Sequence, residues 1–404
     1  MGRHIGRTKC GGRGRRAGRG AAWLLIGTAL LLGACDDEDE IGPGNEPPPL
    51  DPQLVAEGRD IFRFDTFGDE AFWTDTLRLH EVVQTVDPTT ALAVGLKVDA
   101  SMVPAEVLAN ADMTDPATTV ALLRLGAVVG VQAEVDDQGN ITRLGITCAL
   151  CHSTVDDAVA EGIGNRLDGW PNRDLNVGAI VALSPVLDEA AKAELNSWGP
   201  GYYDAYWNQD GESDPVVIPP AYGLRQVALE TYTGEGPVSY WNAYVAVTQM
   251  HGQGSFADER LGIDIRREPD LVTSKLPALR EYQFSLEAPA PPDGSFDATA
   301  AVRGQDVFDG AGRCATCHRP ETQFTDAPTL HAAAETGMDP LRAMRGTTGE
   351  YRTTPLRALW QHPPYFHDGS AATLADVVDH YNDALGLGLS ERQRADLVEY
   401  LKTL

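Results

Sequence analysis

The chain has 404 residues, 43% hydrophobic and 23% charged, with 32 Lys and Arg against 59 Asp and Glu and a formal charge of −27. That length gives room for two domains, and the composition excludes both a disordered chain and a polytopic membrane protein. An acidic excess of this size excludes nucleic acid as a partner, because it repels phosphate.

Residues 1–20 hold seven Arg or Lys and no acid, and Ala21 to Leu32 form one apolar run. The run is short for a bilayer span but suits the core of a signal peptide. It stops at Leu32-Gly33-Ala34-Cys35, which looks like a bacterial lipobox: small residues before a cysteine that is acylated as the signal is cut away. The expectation is a lipoprotein signal over residues 1–34, a lipid on Cys35, and a membrane-anchored body facing the periplasm. Losing seven basic residues and no acidic ones leaves 25 Lys and Arg against 59 Asp and Glu, a formal charge of −34. Such a surface attracts a basic partner protein, faster at low salt. Residues 35–52 are acidic and rich in proline, centred on Pro47-Pro48-Pro49, and read as a tether.

A short motif then occurs twice. Glu57-Gly58-Arg59-Asp60-Ile61-Phe62 matches Arg303-Gly304-Gln305-Asp306-Val307-Phe308 in pattern. The reading is two units, residues 53–290 and 296–404, the first with a large insertion. Ala288-Pro289-Ala290-Pro291-Pro292-Asp293-Gly294 marks the boundary. Within the insertion, Val128 to Val135 and Ile141 to Thr147 are rich in branched residues on either side of Asp136-Asp137-Gln138-Gly139-Asn140. That pattern predicts a β-hairpin delivering Cys148. In the second unit Thr373 with Asp376, and Ser390 with Gln393, predict two helix starts. Leu374, Val377, Val378 and Tyr381 share the buried face of the first of these helices; Leu397, Leu401 and Leu404 face inward on the second.

Of the six cysteines, Cys10 belongs to the signal and Cys35 to the lipobox. The other four stand in Cys148-Ala149-Leu150-Cys151-His152 and Cys314-Ala315-Thr316-Cys317-His318. Two thiols three positions apart reach the two vinyl groups on one porphyrin edge, and the adjacent His points its imidazole at the iron. The expectation is therefore two covalent haems c, with Cys148, Cys151, Cys314 and Cys317 as attachment points and His152 and His318 as proximal ligands. Zinc would need four ligands per ion, and each site offers three at most.

Tyr351-Arg352-Thr353-Thr354-Pro355-Leu356-Arg357-Ala358-Leu359, followed by Pro364-Tyr365-Phe366-His367-Asp368-Gly369-Ser370-Ala371-Ala372-Thr373-Leu374, resembles the bacterial di-haem cytochrome c peroxidase and MauG superfamily. The likeness is strong over residues 300–404 and general before them. It implies a mainly α fold of two cytochrome c-like domains, one haem feeding electrons to a second, reactive haem, with hydrogen peroxide as a substrate and a redox protein as partner. It also implies that Arg357 and His367 border the haem, His367 near a propionate. Relatives of the MauG kind place a tyrosine fourteen residues after the counterpart of His367, which here is Tyr381; His380, Met338 and Met344 are the alternatives for that iron. The peroxidases carry a ligand histidine soon after the first haem site, where this chain has Gly162-Ile163-Gly164-Asn165. Either the first iron is open or a distant residue such as His251 replaces that ligand. Peroxide cleavage needs an acid–base group, and Glu230 and Glu235 lie where the family keeps its catalytic loop.

Overall fold

The computed structural model describes residues 47–404; the signal segment, Cys35 and residues 35–46 of the tether lie outside the described residues. The fold is mainly helical, with six two-stranded sheets among the described residues. No helix among them is long and apolar enough to cross a membrane.

Helix α1, Pro52–Phe64, begins at the last residue of the expected tether. The Asp51 carboxylate accepts from the backbone of Gln53 at 2.8 Å, which satisfies a free N–H of the first turn. The buried face of α1 carries Gly58, Ile61 and Phe62. The predicted hairpin follows as β1, Val131–Val135, paired antiparallel with β2, Ile141–Ile146. Helix α2, Val238–Tyr244, continues as a π-helical stretch over Val245–Gln249. Helix α3, Leu276–Ser285, ends the first part, and a stretch free of regular elements leads to α4, Ala298–Asp309. Helices α5, Leu374–Ala384, and α6, Glu391–Leu401, close the chain, and both open with the expected capping boxes.

The sequence repeat is also a packing repeat. A Cβ built on Gly58 of α1 would stand 1.9 Å from the carbonyl oxygen of Ala278 in α3. One built on Gly304 of α4 would stand 2.0 Å from that of Asp396 in α6. Only glycine lets either pair of backbones approach so closely. One turn on, Phe62 meets Tyr282 edge-on at 5.5 Å, and Phe308 meets Tyr400 edge-on at 5.2 Å. Both phenylalanines are fully buried.

Two apolar clusters follow from these pairings, and a third lies apart from them. One gathers Phe62, Trp241, Tyr244 and Tyr282 around α1, α2 and α3. Another, with Phe308, Leu374, Val378 and Leu397, joins α4, α5 and α6. The third contains Trp73, Leu79, Leu123 and Leu144. It belongs to the long stretch between α1 and the first pentapeptide and has no counterpart beside α4.

Candidate haem sites

The hairpin carries the first pentapeptide to its place. Thr147, after β2, donates its N–H to Gly130 at 2.9 Å and its hydroxyl to the carbonyl of Arg63 in α1 at 3.2 Å. Asp69, fully buried, accepts from Ile146 N and from Trp73 Nε1 at 3.0 Å. Burial pushes its carboxyl up to about 9, so it holds its proton at neutral pH. Cys148 and Cys151 are unpaired, and burial raises both thiols to about 12. His152 Nδ1 lies 3.1 Å from the carbonyl of Pro219. A carbonyl can only accept, so Nδ1 carries the hydrogen and Nε2 keeps a lone pair. Burial brings this imidazole down to about 4, hence neutral. A neutral imidazole oriented through its other nitrogen is the form that binds a metal.

The second pentapeptide repeats the arrangement from a different local structure. Cys314–Thr316 form a single 3₁₀ turn after α4. His318 Nδ1 lies 3.0 Å from the carbonyl of Phe324, which selects the same tautomer, and burial again lowers its basicity.

Both pentapeptides border one continuous cavity of about 690 Å³. The two helices lining it show the same register. From the first part Val238, Trp241, Asn242, Val245 and Gln249 face the cavity; from α5 come Leu374, Val377, Val378, Tyr381 and Leu385. Counted from their N-caps, Pro237 and Thr373, these residues correspond one to one. Val245 therefore occupies the place of Tyr381. The packing repeat likewise sets Gln283 of α3 against Leu401 of α6, and both border the cavity. Three positions that are apolar in the second lobe are thus amides in the first. Asn242 and Gln283 bond each other reciprocally at 2.7 and 3.2 Å, and Gln249 accepts from the Tyr203 hydroxyl at 2.6 Å.

Tyr381 borders the cavity close to Cys314 and Cys317, and burial raises its hydroxyl pKa. Met338 also borders it, whereas Met344 is 74% exposed on the surface. His380 turns to the carbonyl of Thr336, with Nε2 at 2.9 Å. His251 stacks on the ring of Phe72 at 3.6 Å and is not among the cavity-lining residues; its neighbour Met250 is. His367 borders the cavity, with Nε2 3.2 Å from the Tyr351 hydroxyl. Arg357 borders it too, its guanidinium brought down to about 10 by burial.

The structure separates the two glutamates. Glu235 accepts from the hydroxyls of Tyr206 at 3.0 Å, Thr231 at 3.3 Å and Thr233, and it is not among the cavity-lining residues. Glu230 lines the cavity, 8% exposed, and Arg352 lies 3.4 Å from its Oε2. Its Oε1 has no hydrogen-bond partner, and burial raises the carboxyl to about 7 against the pull of Arg352.

Sequence reasoning missed Arg173 and Arg342. Both line the cavity, and in each Nε and Nη1 make no hydrogen bond in spite of their burial. Arg342 lies over the Tyr206 ring at 4.3 Å and 3.6 Å from Asp204. Buried guanidinium N–H groups left without acceptors are costly, so the cavity suits a guest carrying carboxylates. No local pattern marks either arginine in the sequence; only their convergence in space does.

The cytochrome c family model matches residues 301–404. The methylamine utilization protein MauG of Methylorubrum extorquens is 32% identical over 157 residues, covering 33% of this chain and 43% of that protein. Residues 301–404 thus form a cytochrome c domain, and the chain is similar to members of the di-haem cytochrome c peroxidase and MauG superfamily. Two other relatives are hydrazine synthase subunit gamma of Kuenenia stuttgartiensis and the cytochrome-c peroxidase IdrP2 of Denitromonas iodatirespirans. The first is 31% identical over 202 residues, covering 39% of the chain and 57% of that protein. The second is 29% identical over 151 residues, covering 28% and 41%. The chain thus spans only about half the length of these relatives. Among solved structures, xenon-pressurised hydrazine synthase of Kuenenia stuttgartiensis gives a TM-score of 0.35 at 22% identity, over 49% of this chain and 76% of that one. A MauG-like protein associated with microbial copper homeostasis gives 0.34 at 20%, over 48% and 74%.

Proposed function

We propose that this chain is a periplasm-facing lipoprotein, anchored through Cys35, that transfers electrons by means of two covalently held haems c and reduces peroxide at the first site. Bound there, each haem supplies reversible one-electron iron chemistry. Cys148 and Cys151 hold one through thioethers, Cys314 and Cys317 the other, and the free Nε2 atoms of His152 and His318 bind the irons. Arg173 and Arg342 would hold the propionates, which gives their unpartnered guanidinium nitrogens acceptors. The glycine-centred packing repeat supports two cytochrome c units, 53–290 and 296–404.

The observation that carries the peroxidase reading is the shared register with Val245 in the place of Tyr381. Tyr381 would offer a haem at the second site an oxygen ligand. Val245 offers none, so at that position the first site would leave room for an exogenous ligand. Asn242, Gln283 and Gln249 add amide groups to the wall of the same cavity, which suits a small polar guest. Glu230 Oε1 accepts the proton of peroxide and returns it to the departing oxygen, and a carboxyl titrating near neutrality is poised for both directions. A basic partner protein supplies the electrons.

Electron paramagnetic resonance of the purified diferric protein tests this. The expected spectrum has one low-spin signal that changes in Tyr381→Phe and one high-spin signal that is lost when peroxide is added. Two low-spin signals indifferent to peroxide would leave a non-catalytic electron carrier instead. Haem staining on a denaturing gel, taken per mole of surviving protein, should fall by half in a Cys314→Ala, Cys317→Ala variant.

A further inference from the structure

The two imidazole-bearing turns are joined by a short chain of bonds that runs along the cavity wall from His152 to Tyr222 and leaves it at Gly223, Gln323 and Phe324. Pro219 lends its carbonyl to His152 Nδ1 at 3.1 Å. Four residues later Gly223, at φ +64°, lies against Arg357: a Cβ there would stand 2.7 Å from Arg357 Cδ and 2.8 Å from Nη1. Arg357 Nη2 donates to Gln323 Oε1 at 2.8 Å. Gln323 is covalently bonded to Phe324, whose carbonyl lies 3.0 Å from His318 Nδ1. A second link runs beside the first, because Gln323 Nε2 donates to Gln226 Oε1 at 3.4 Å. Gln323 and Phe324 both adopt left-handed backbone, at φ 63° and 60°. Two consecutive non-glycine residues in that region are costly and persist only where the surroundings impose them. Here the strained turn presents both the Gln323 side chain and the Phe324 carbonyl.

We infer that this chain is the electron path between the two sites: His152, Pro219 to Gly223, Arg357, Gln323, Phe324, His318. The inference rests on the reading that both pentapeptides hold haems that exchange electrons. One electron moves, so the donor site is oxidised by one and the acceptor site reduced by one. The Nδ1–H protons stay in their hydrogen bonds throughout. Tunnelling decays less steeply through covalent and hydrogen bonds than across open space, and this path crosses one van der Waals gap, at Gly223. Gln323 is a positioning residue: it is not among the cavity-lining residues and touches neither imidazole.

The test uses the full-length holoprotein in its diferric state, reduced by a light flash with less than one electron per molecule. Freeze-quench electron paramagnetic resonance then follows redistribution between the two irons. Gln323→Leu should slow redistribution several-fold with both midpoint potentials unchanged. Gln323→Glu, which keeps an acceptor for Arg357, should restore it. Tyr240→Phe, which removes a part-buried hydrogen bond of 2.7 Å to Asp258 away from the path, should leave the rate as in the wild type. An unchanged rate in Gln323→Leu overturns the path, and so does a slow rate that Gln323→Glu fails to rescue. Absence of redistribution in the wild type defeats the underlying two-haem reading instead, and is seen before any variant is made.

Discussion

Glu230 and Glu235 sit five residues apart in one loop, and nothing in their letters separates them. Burial with one unsatisfied oxygen suits Glu230 to the proposed proton transfer, while three hydroxyl donors occupy the Glu235 carboxylate. The rate of the Soret change on adding peroxide should rise with pH through about 7 as Glu230 loses its proton. In Glu230→Gln that inflection should vanish and the rate stay low. If the Glu230→Gln variant kept the inflection, Glu230 would not be the base. Asp69 supports a different kind of prediction. Its ordinary value is 3.8 and its folded value about 9. As pH rises between these values the unfolded chain releases a proton that the folded chain keeps, so stability falls across the window. Asp69→Asn retains an acceptor for Trp73 and Ile146 and cannot ionise. Its melting temperature should exceed that of the wild type at about pH 8 and vary less with pH down to about 5. Tyr381 was legible because spacing on a helix is a one-dimensional fact. Arg173 and Arg342 were not, because their significance lies in what they fail to touch.

At the scale of elements, the legible features were those with chemistry at fixed offsets. The capping pairs of α5 and α6 and the hairpin before Cys148 formed where the letters placed them. The correspondence between α2 and α5 escaped notice because α2 starts at Pro237 rather than a Thr–Asp box and its cavity face runs on into a π-helical stretch. The repeated glycine was visible as a motif, but its partners in α3 and α6 were not, since the close approach involves their backbone. Gly304→Ala should destabilise the holoprotein by roughly 1–3 kcal/mol by forcing α4 from α6. Val302→Ala, two residues away and 66% exposed, should cost under about 0.5 kcal/mol. Urea denaturation of the two variants makes the comparison, and equal losses would remove the argument for a glycine-dependent crossing.

For the whole molecule, charge sets the terms of encounter. With the formal charge of −34 that the proposed signal cleavage leaves, electron uptake from a basic monohaem cytochrome should slow steeply as salt rises. Uptake from a neutral small-molecule reductant should not change, and stopped-flow traces at two ionic strengths with each donor decide between them.

One cavity bordered by both pentapeptides has a consequence for manufacture. A wall shared by two guests makes each guest part of the other's container. A chain given a single porphyrin would close around a half-filled interior, and close-packed protein does not tolerate such a void without collapse or flooding. Half-loaded product would then be recognised in the cell as a loose, protease-sensitive protein, not as a half-active one. With the two proposed haems, the count of cofactors would thereby be checked by folding itself.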